Sequence, residues 1–243
     1  MAGMRRAPRL QIPLAGSLAI LVCGAAAAAA DAGGTAPSAP ALEDLARRIQ
    51  IVCFEAYPER LVRRMSGRPG PVPDEVRADP RLQVKYLKTE EVVRRGLFYP
   101  TLLDELLPAL QAAVRPGDRF LDLGSGDGRV VFLAAAMGAN AVGIEFDRRL
   151  HRLAGTARAR LDGVIDIDRA VLRRGDFLKE DFSGYDVFFY FVSGSSAEDR
   201  LLAKLRREMG PDAILLLAHP QGPVPGFIRV AGHGVAGLYR AGP

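Results

Sequence analysis

From residue 118 onward, short apolar runs alternate with amphipathic segments along this chain. That alternation predicts strands joined by crossover helices. The apolar runs place strands at 119–123, 141–145, 170–174, 186–192 and 213–218. The amphipathic segments between them predict helices near 129–137, 148–161 and 196–209. Two more strand candidates, 226–230 and 235–239, are split by Gly232-His-Gly234. Upstream, Leu45, Ile49, Val52 and Cys53 fall on one face of a helix over residues 42–57. Residues 67–80 carry Pro69, Pro71, Pro73 and Pro80 and are expected to break regular structure. A helical pattern returns over 84–114, where Leu102, Leu103, Leu106, Leu107 and Leu110 form a stripe that Pro108 should kink. The expected fold is α/β: an open, twisted, mostly parallel sheet with helices on both faces and a helical extension at residues 42–95.

Composition changes this picture at the N-terminus. Residues 5, 6 and 9 are arginines, and an apolar stretch from about 12 to 30 follows, ending in a run of alanines. Basic residues before such a stretch mark an export signal, or an uncleaved membrane anchor if the alanines are not cut. Either outcome carries residues 31–243 across the membrane, to the periplasmic side of a bacterial cell. A downstream start would leave the protein cytoplasmic. Residues 31–41 are small and proline-containing, as in a linker. The three N-terminal arginines account for three of the five net positive charges. The other basic pairs are scattered among acids, with no aromatic and basic stripe, so no nucleic-acid partner is expected. With no Trp and 7% aromatics, the core must be mostly aliphatic. Removal of the leader would leave Cys53 as the sole thiol, and His151, His219 and His233 show no ligand spacing. Neither a disulfide nor a metal site is expected.

The chemistry concentrates in Phe120-Leu-Asp-Leu-Gly-Ser-Gly-Asp-Gly-Arg129 and Ala141-Val-Gly-Ile-Glu145. A strand enters a glycine turn and then a helix, and an acid ends the next strand. Glycines 124, 126 and 128 allow close backbone approach to a ligand. Glu145, 23 residues after Asp122, stands where ribose hydroxyls can be accepted. A dinucleotide turn G-x-G-x-x-G would need glycine at 129, which is Arg129. The acids Asp122 and Asp127 would also repel a pyrophosphate, whereas they suit a ligand carrying an ammonium and a sulfonium. Asp176 can be read as a turn cap or as a carboxylate for an adenine amine with Phe177 beside the base. Its place after the third strand, next to Glu145, favours the second.

This segment resembles motif I of class I S-adenosylmethionine (SAM) methyltransferases, and Gly143-Ile-Glu145 resembles their motif II. The resemblance implies SAM as cofactor, a sheet of five parallel strands closed by an antiparallel hairpin, and a domain over residues 96–243. It implies cofactor contacts from Asp122, Gly124, Ser125, Gly126, Asp127, Gly128, Glu145, Asp176 and Phe177. Together with Arg174-Gly-Asp-Phe-Leu178, these motifs look like the seven-strand, non-SET protein-lysine methyltransferases. Residues 96–102 resemble the segment that those enzymes fold over SAM, which implies Tyr99 and Thr101 at the methionine end. Two features of such families are missing: an Asn/Asp-Pro-Pro-aromatic motif and paired asparagines after the fourth strand, where Phe191-Val-Ser-Gly-Ser195 stands. Three readings of function remain open here. They are methylation of protein lysine, methylation of a lipid or other small molecule, and an exported binding module without catalysis. No catalytic base is assigned, with Tyr190 and His219 the nearest candidates.

Overall fold

The structure is a computed structural model, and it describes residues 39–66, 70–86, 99–192 and 197–242. These residues lie within one compact unit spanning 36–243. Seven strands form one sheet: β1 (Arg119–Leu123), β2 (Asn140–Glu145), β3 (Ala170–Arg174), β4 (Val187–Phe191), β5 (Ile214–Ala218), β6 (Phe227–His233) and β7 (Ala236–Ala241). Their order is β3-β2-β1-β4-β5-β7-β6. The first five strands run parallel, and β7 inserts antiparallel between β5 and β6. β6 therefore takes the sheet edge. This is the seven-strand, Rossmann-like methyltransferase topology. The order reverses between β1 and β4, and in open α/β sheets ligands bind at the carboxyl ends beside such a switch.

Period-two alternation explains why both faces are covered. Phe120, Phe189 and Leu216 join one core with α5 (Leu103–Ala113), α6 (Arg129–Ala136) and α7 (Arg148–Leu161). Leu121, Phe188, Leu215 and Leu217 join the other, against Leu201 and Leu205 of α8 (Glu198–Glu208). The N-terminal helix α1 (Ala39–Glu55) packs on α5, α6 and α7. Gln50 of α1, itself buried, accepts a hydrogen bond from Leu103 N–H at 2.8 Å and so caps α5.

Three expectations upstream of the sheet differ from the structure. The proline-rich stretch forms α3 (Asp74–Ala78) and opens α4 (Pro80–Tyr86), after α2 (Glu59–Ser66). Pro73 and Pro80 sit at helix starts, where a missing N–H breaks no bond. The helical pattern over 84–114 does not run through, because residues 99–102 are irregular. Pro100 pushes Tyr99 out of helical geometry. Helix α5, in turn, continues through Pro108. The predicted leader (1–30), most of the linker and Phe98 lie outside the described residues. No helix among the described residues is long and apolar enough to cross a membrane.

Candidate functional site

The predicted acids stand at the carboxyl ends of adjacent strands. Asp122 is the penultimate residue of β1, Glu145 ends the neighbouring β2, and Asp176 follows β3. Gly175 N–H donates to the Glu145 carbonyl at 3.0 Å, which ties the β2 and β3 ends together.

The glycine turn is built differently from an anion cradle. Gly124 and Ser125 N–H groups both donate to the Ile144 carbonyl, at 2.9 and 3.0 Å, and Gly128 N–H donates to Ser125 O at 2.8 Å. Gly126 N–H donates to Glu145 Oε2 at 2.8 Å. The N–H groups of Gly124, Gly126 and Gly128, expected to reach toward a ligand, are thus satisfied within the protein, as is that of Ser125. A pyrophosphate would find little to bind there, whereas a cationic ligand needs no such donors. Gly124 has φ +90, and a side chain built on it would enter open space beside the strand ends. Gly128, at φ +84, would instead drive a Cβ to 2.9 Å from the Phe132 ring. Ser125 is buried in the turn against Gly143.

Asp122 is almost fully buried, and the charged groups that act on it are two further acids rather than a cation. Burial pushes its carboxyl well above the usual range, and the nearby charges of Glu145 and Asp127 push it further. A buried carboxylate of this kind fits a ligand that brings positive charge. Glu145 also has a raised carboxyl, mainly from burial, opposed by hydrogen bonds from Asp147 N–H (2.6 Å) and Gly126 N–H. It therefore braces the turn while keeping acceptor capacity for hydroxyls.

The remaining predicted residues divide. Asp176 acts as a cap: its Oδ1 accepts from Leu178 N–H at 3.0 Å, opening a 3₁₀ turn over Phe177–Lys179. Phe177 packs edge-on against Tyr190, with ring centroids 6.4 Å apart, beside the α8 core. Phe146, directly after Glu145, is 52% exposed and offers an aromatic face at the β2 end that the sequence reading did not single out. Its signal was an apolar residue between Glu145 and the α7 cap Asp147. Asp127 turns inward to a buried ion pair with Arg129. Thr101 is buried, and its carbonyl accepts from Arg129 Nη1 at 3.2 Å.

Tyr99 is 56% exposed and stacks on Phe191, with centroids 5.7 Å apart and planes at 24°. Phe191 in turn meets the His219 ring at 5.2 Å. The three rings form a wall at the carboxyl ends of β4 and β5. His219 has φ 54, the left-handed region that a non-glycine residue rarely enters. Tyr190 points instead to the α8 core, so of the two base candidates only His219 joins this wall. Ser193 to Ser196, next to it, lie outside the described residues. Among the described residues no group of His, Cys, Asp and Glu could hold a metal ion.

Residues 122–219 match the model of the ANTKMT methyltransferase domain. Among curated proteins, none matches the chain. One similar solved structure is an RNA methyltransferase from Salinibacter ruber in complex with S-adenosyl-L-homocysteine. It is 28% identical, with 58% of this chain and 92% of that one covered and a TM-score of 0.45. Another is a mutant of MtNAS in complex with SAM, 16% identical, covering 83% and 75% at a TM-score of 0.48. The putative methyltransferase yhhF from Escherichia coli is 18% identical, covering 58% and 82% at 0.43. The strand order and the family match, rather than these partial superpositions, carry the assignment. The chain holds a class I SAM-dependent methyltransferase domain.

Proposed function

We propose that the methyl acceptor is the ε-amine of a protein lysine. The observation that carries this reading is the Tyr99–Phe191–His219 wall at the switch-side strand ends. Flat aromatic faces suit the methylene stem of a lysine, and an apolar channel favours the neutral amine that must attack. Bound SAM would supply a methyl on its sulfonium. The neutral amine forms the N–C bond in line as the C–S bond breaks, S-adenosylhomocysteine leaves, and the methylated ammonium gives a proton to solvent, with little acid–base help. The chain's own work is therefore to align and to exclude water, a contribution of about 7–11 kcal/mol at best. On this reading Asp122 receives the ammonium end, Glu145 the ribose hydroxyls, and Phe146 and Phe177 flank the base.

The resemblance of residues 123–126, 143–145 and 174–178 to non-SET lysine methyltransferases supports the same acceptor class. We propose further that residues 12–30 attach the domain to a membrane or export it. Export would separate the domain from cytoplasmic SAM, so sequencing the mature N-terminus after cell fractionation tests this point. For the acceptor, the full chain is incubated with tritiated SAM and a cell lysate. Label in protein that hydrolyses to methylated lysine is the expected result. Label confined to the organic extract would replace lysine with a lipid or other small molecule. No binding of SAM by calorimetry would leave only a non-catalytic module.

A further inference from the structure

Beneath the glycine turn lies a set of polar contacts that methyl transfer itself does not call for. Arg129 Nε donates to Asp127 Oδ1 at 2.9 Å, and its Nη2 donates to Oδ2 at 2.6 Å, a fork on one carboxylate. The hydroxyl of Tyr57, just past the end of α1, donates to the same Oδ2 at 3.1 Å. The third Arg129 nitrogen, Nη1, holds the carbonyl of Thr101 at 3.2 Å. Cys53 of α1 directs its thiol to the Asp127 carbonyl at 3.9 Å. Every one of these side chains is buried.

The arrangement runs against the usual economy of a helix. Arg129 opens α6, and a cation at a helix N-terminus faces the positive end of the dipole. A buried ion pair also contributes little net stability, since desolvation offsets the attraction. What it does supply is fixed geometry, because the planar guanidinium fork allows one arrangement. That geometry joins three separate pieces of chain: the α1 end, the turn at 124–128, and the segment 99–102 that carries Tyr99.

We propose that the Tyr57–Asp127–Arg129 cluster is a positioning device that couples occupancy of the glycine turn to placement of the Tyr99 segment. Asp127 then serves the cofactor site from below rather than by contact, and Arg129 and Tyr57 are positioning residues. The inference rests on the methyltransferase reading. Through Thr101, an ordered turn holds residues 99–102 against the strand ends. Loss of the fork releases that segment and weakens the site.

The test uses the full chain, with S-adenosylhomocysteine as the calorimetric probe and amide hydrogen exchange of the peptide around residues 99–106. In the wild type, the probe should bind and protect that peptide. Arg129→Lys keeps the charge but loses the fork; we expect the dissociation constant to rise about tenfold, with ligand-induced protection of 99–106 largely lost. Tyr57→Phe removes one hydroxyl and should show the same loss in smaller measure, which keeps the test alive if the lysine variant does not fold. Leu205→Ala, in the core on the other face of the sheet, controls for simple destabilisation. It should lower Tm and leave both readouts unchanged. Variants of Arg129 and Tyr57 with wild-type affinity and wild-type protection would overturn the proposal, as would a Leu205→Ala that mimics them. Failure of the wild type to bind would instead remove the methyltransferase reading beneath it.

Discussion

Asp122 sets a conflict between stability and binding. Its folded-state pKa is raised by burial and by its acidic neighbours, while the unfolded value is near 3.9. A raised pKa means that the folded chain holds the proton more tightly than the unfolded one. The stabilisation is complete below about 3.9 and disappears as pH rises through the folded pKa. Ionising Asp122 in the ligand-free fold therefore costs stability. Asp122→Asn should raise the Tm of the ligand-free protein at pH 8, and less so at pH 4, by differential scanning calorimetry. The same change should weaken SAM about tenfold or more, since a hydrogen bond to a charged group is worth roughly 1.5–3 kcal/mol. An unchanged or lower Tm at pH 8 would contradict the electrostatic reading. Two glycines separate fold from ligand in the same way. Gly128→Ala, at φ +84 with a Cβ 2.9 Å from Phe132, should lower Tm markedly. Gly124→Ala also bears φ strain, about 1 kcal/mol, but its methyl enters open space, so its larger effect should be on SAM affinity. Urea unfolding beside calorimetric titration would rank the two.

Among elements, legibility followed hydrophobic contrast. β1, β3 and α7 were readable from the sequence to the residue because turn residues or a cap bound each pattern, short apolar for the strands and amphipathic for α7. Asp147, for instance, accepts from the Arg149 and Leu150 N–H groups at the start of α7. The proline-rich stretch misled because prolines both break helices and begin them, and periodicity over five to seven residues is too short to tell which. The glycine turn was legible as a strand–turn–helix but not in its hydrogen bonding. Which N–H groups meet Ile144 and Glu145 depends on how β1 and β2 stack, and no spacing encodes that. The role of α1 was hidden too, since Gln50 looks like any polar residue on a helix until it meets Leu103. Gln50→Ala should cost about 1–3 kcal/mol in urea unfolding, the range for leaving a buried backbone donor unmet. A change within a few tenths of a kcal/mol would show that α1 is an appendage rather than a brace.

At the scale of the molecule, the site draws on residues that only the sheet order brings together. Strand order β3-β2-β1-β4-β5 sets Asp122 and Glu145 on one side of the switch and Phe191 and His219 on the other. Tyr99 reaches Phe191 across 92 residues of sequence, so no local pattern could announce the wall that they share. The division implies that cofactor and acceptor functions separate by mutation. His219 provides the sharpest case, because its φ of 54 suits glycine better than histidine. His219→Gly removes the ring while relieving the backbone, and should leave Tm unchanged or raise it by up to a few degrees. S-adenosylhomocysteine affinity should stay within about twofold, since the proposed function gives the ring to the acceptor. Tritium transfer from SAM into protein should nevertheless fall about tenfold, with a like fall for Phe191→Ala, if the wall holds the target side chain at the reacting distance. Transfer that survives removal of both rings would move the acceptor elsewhere and leave the strained histidine as a turn of the chain alone.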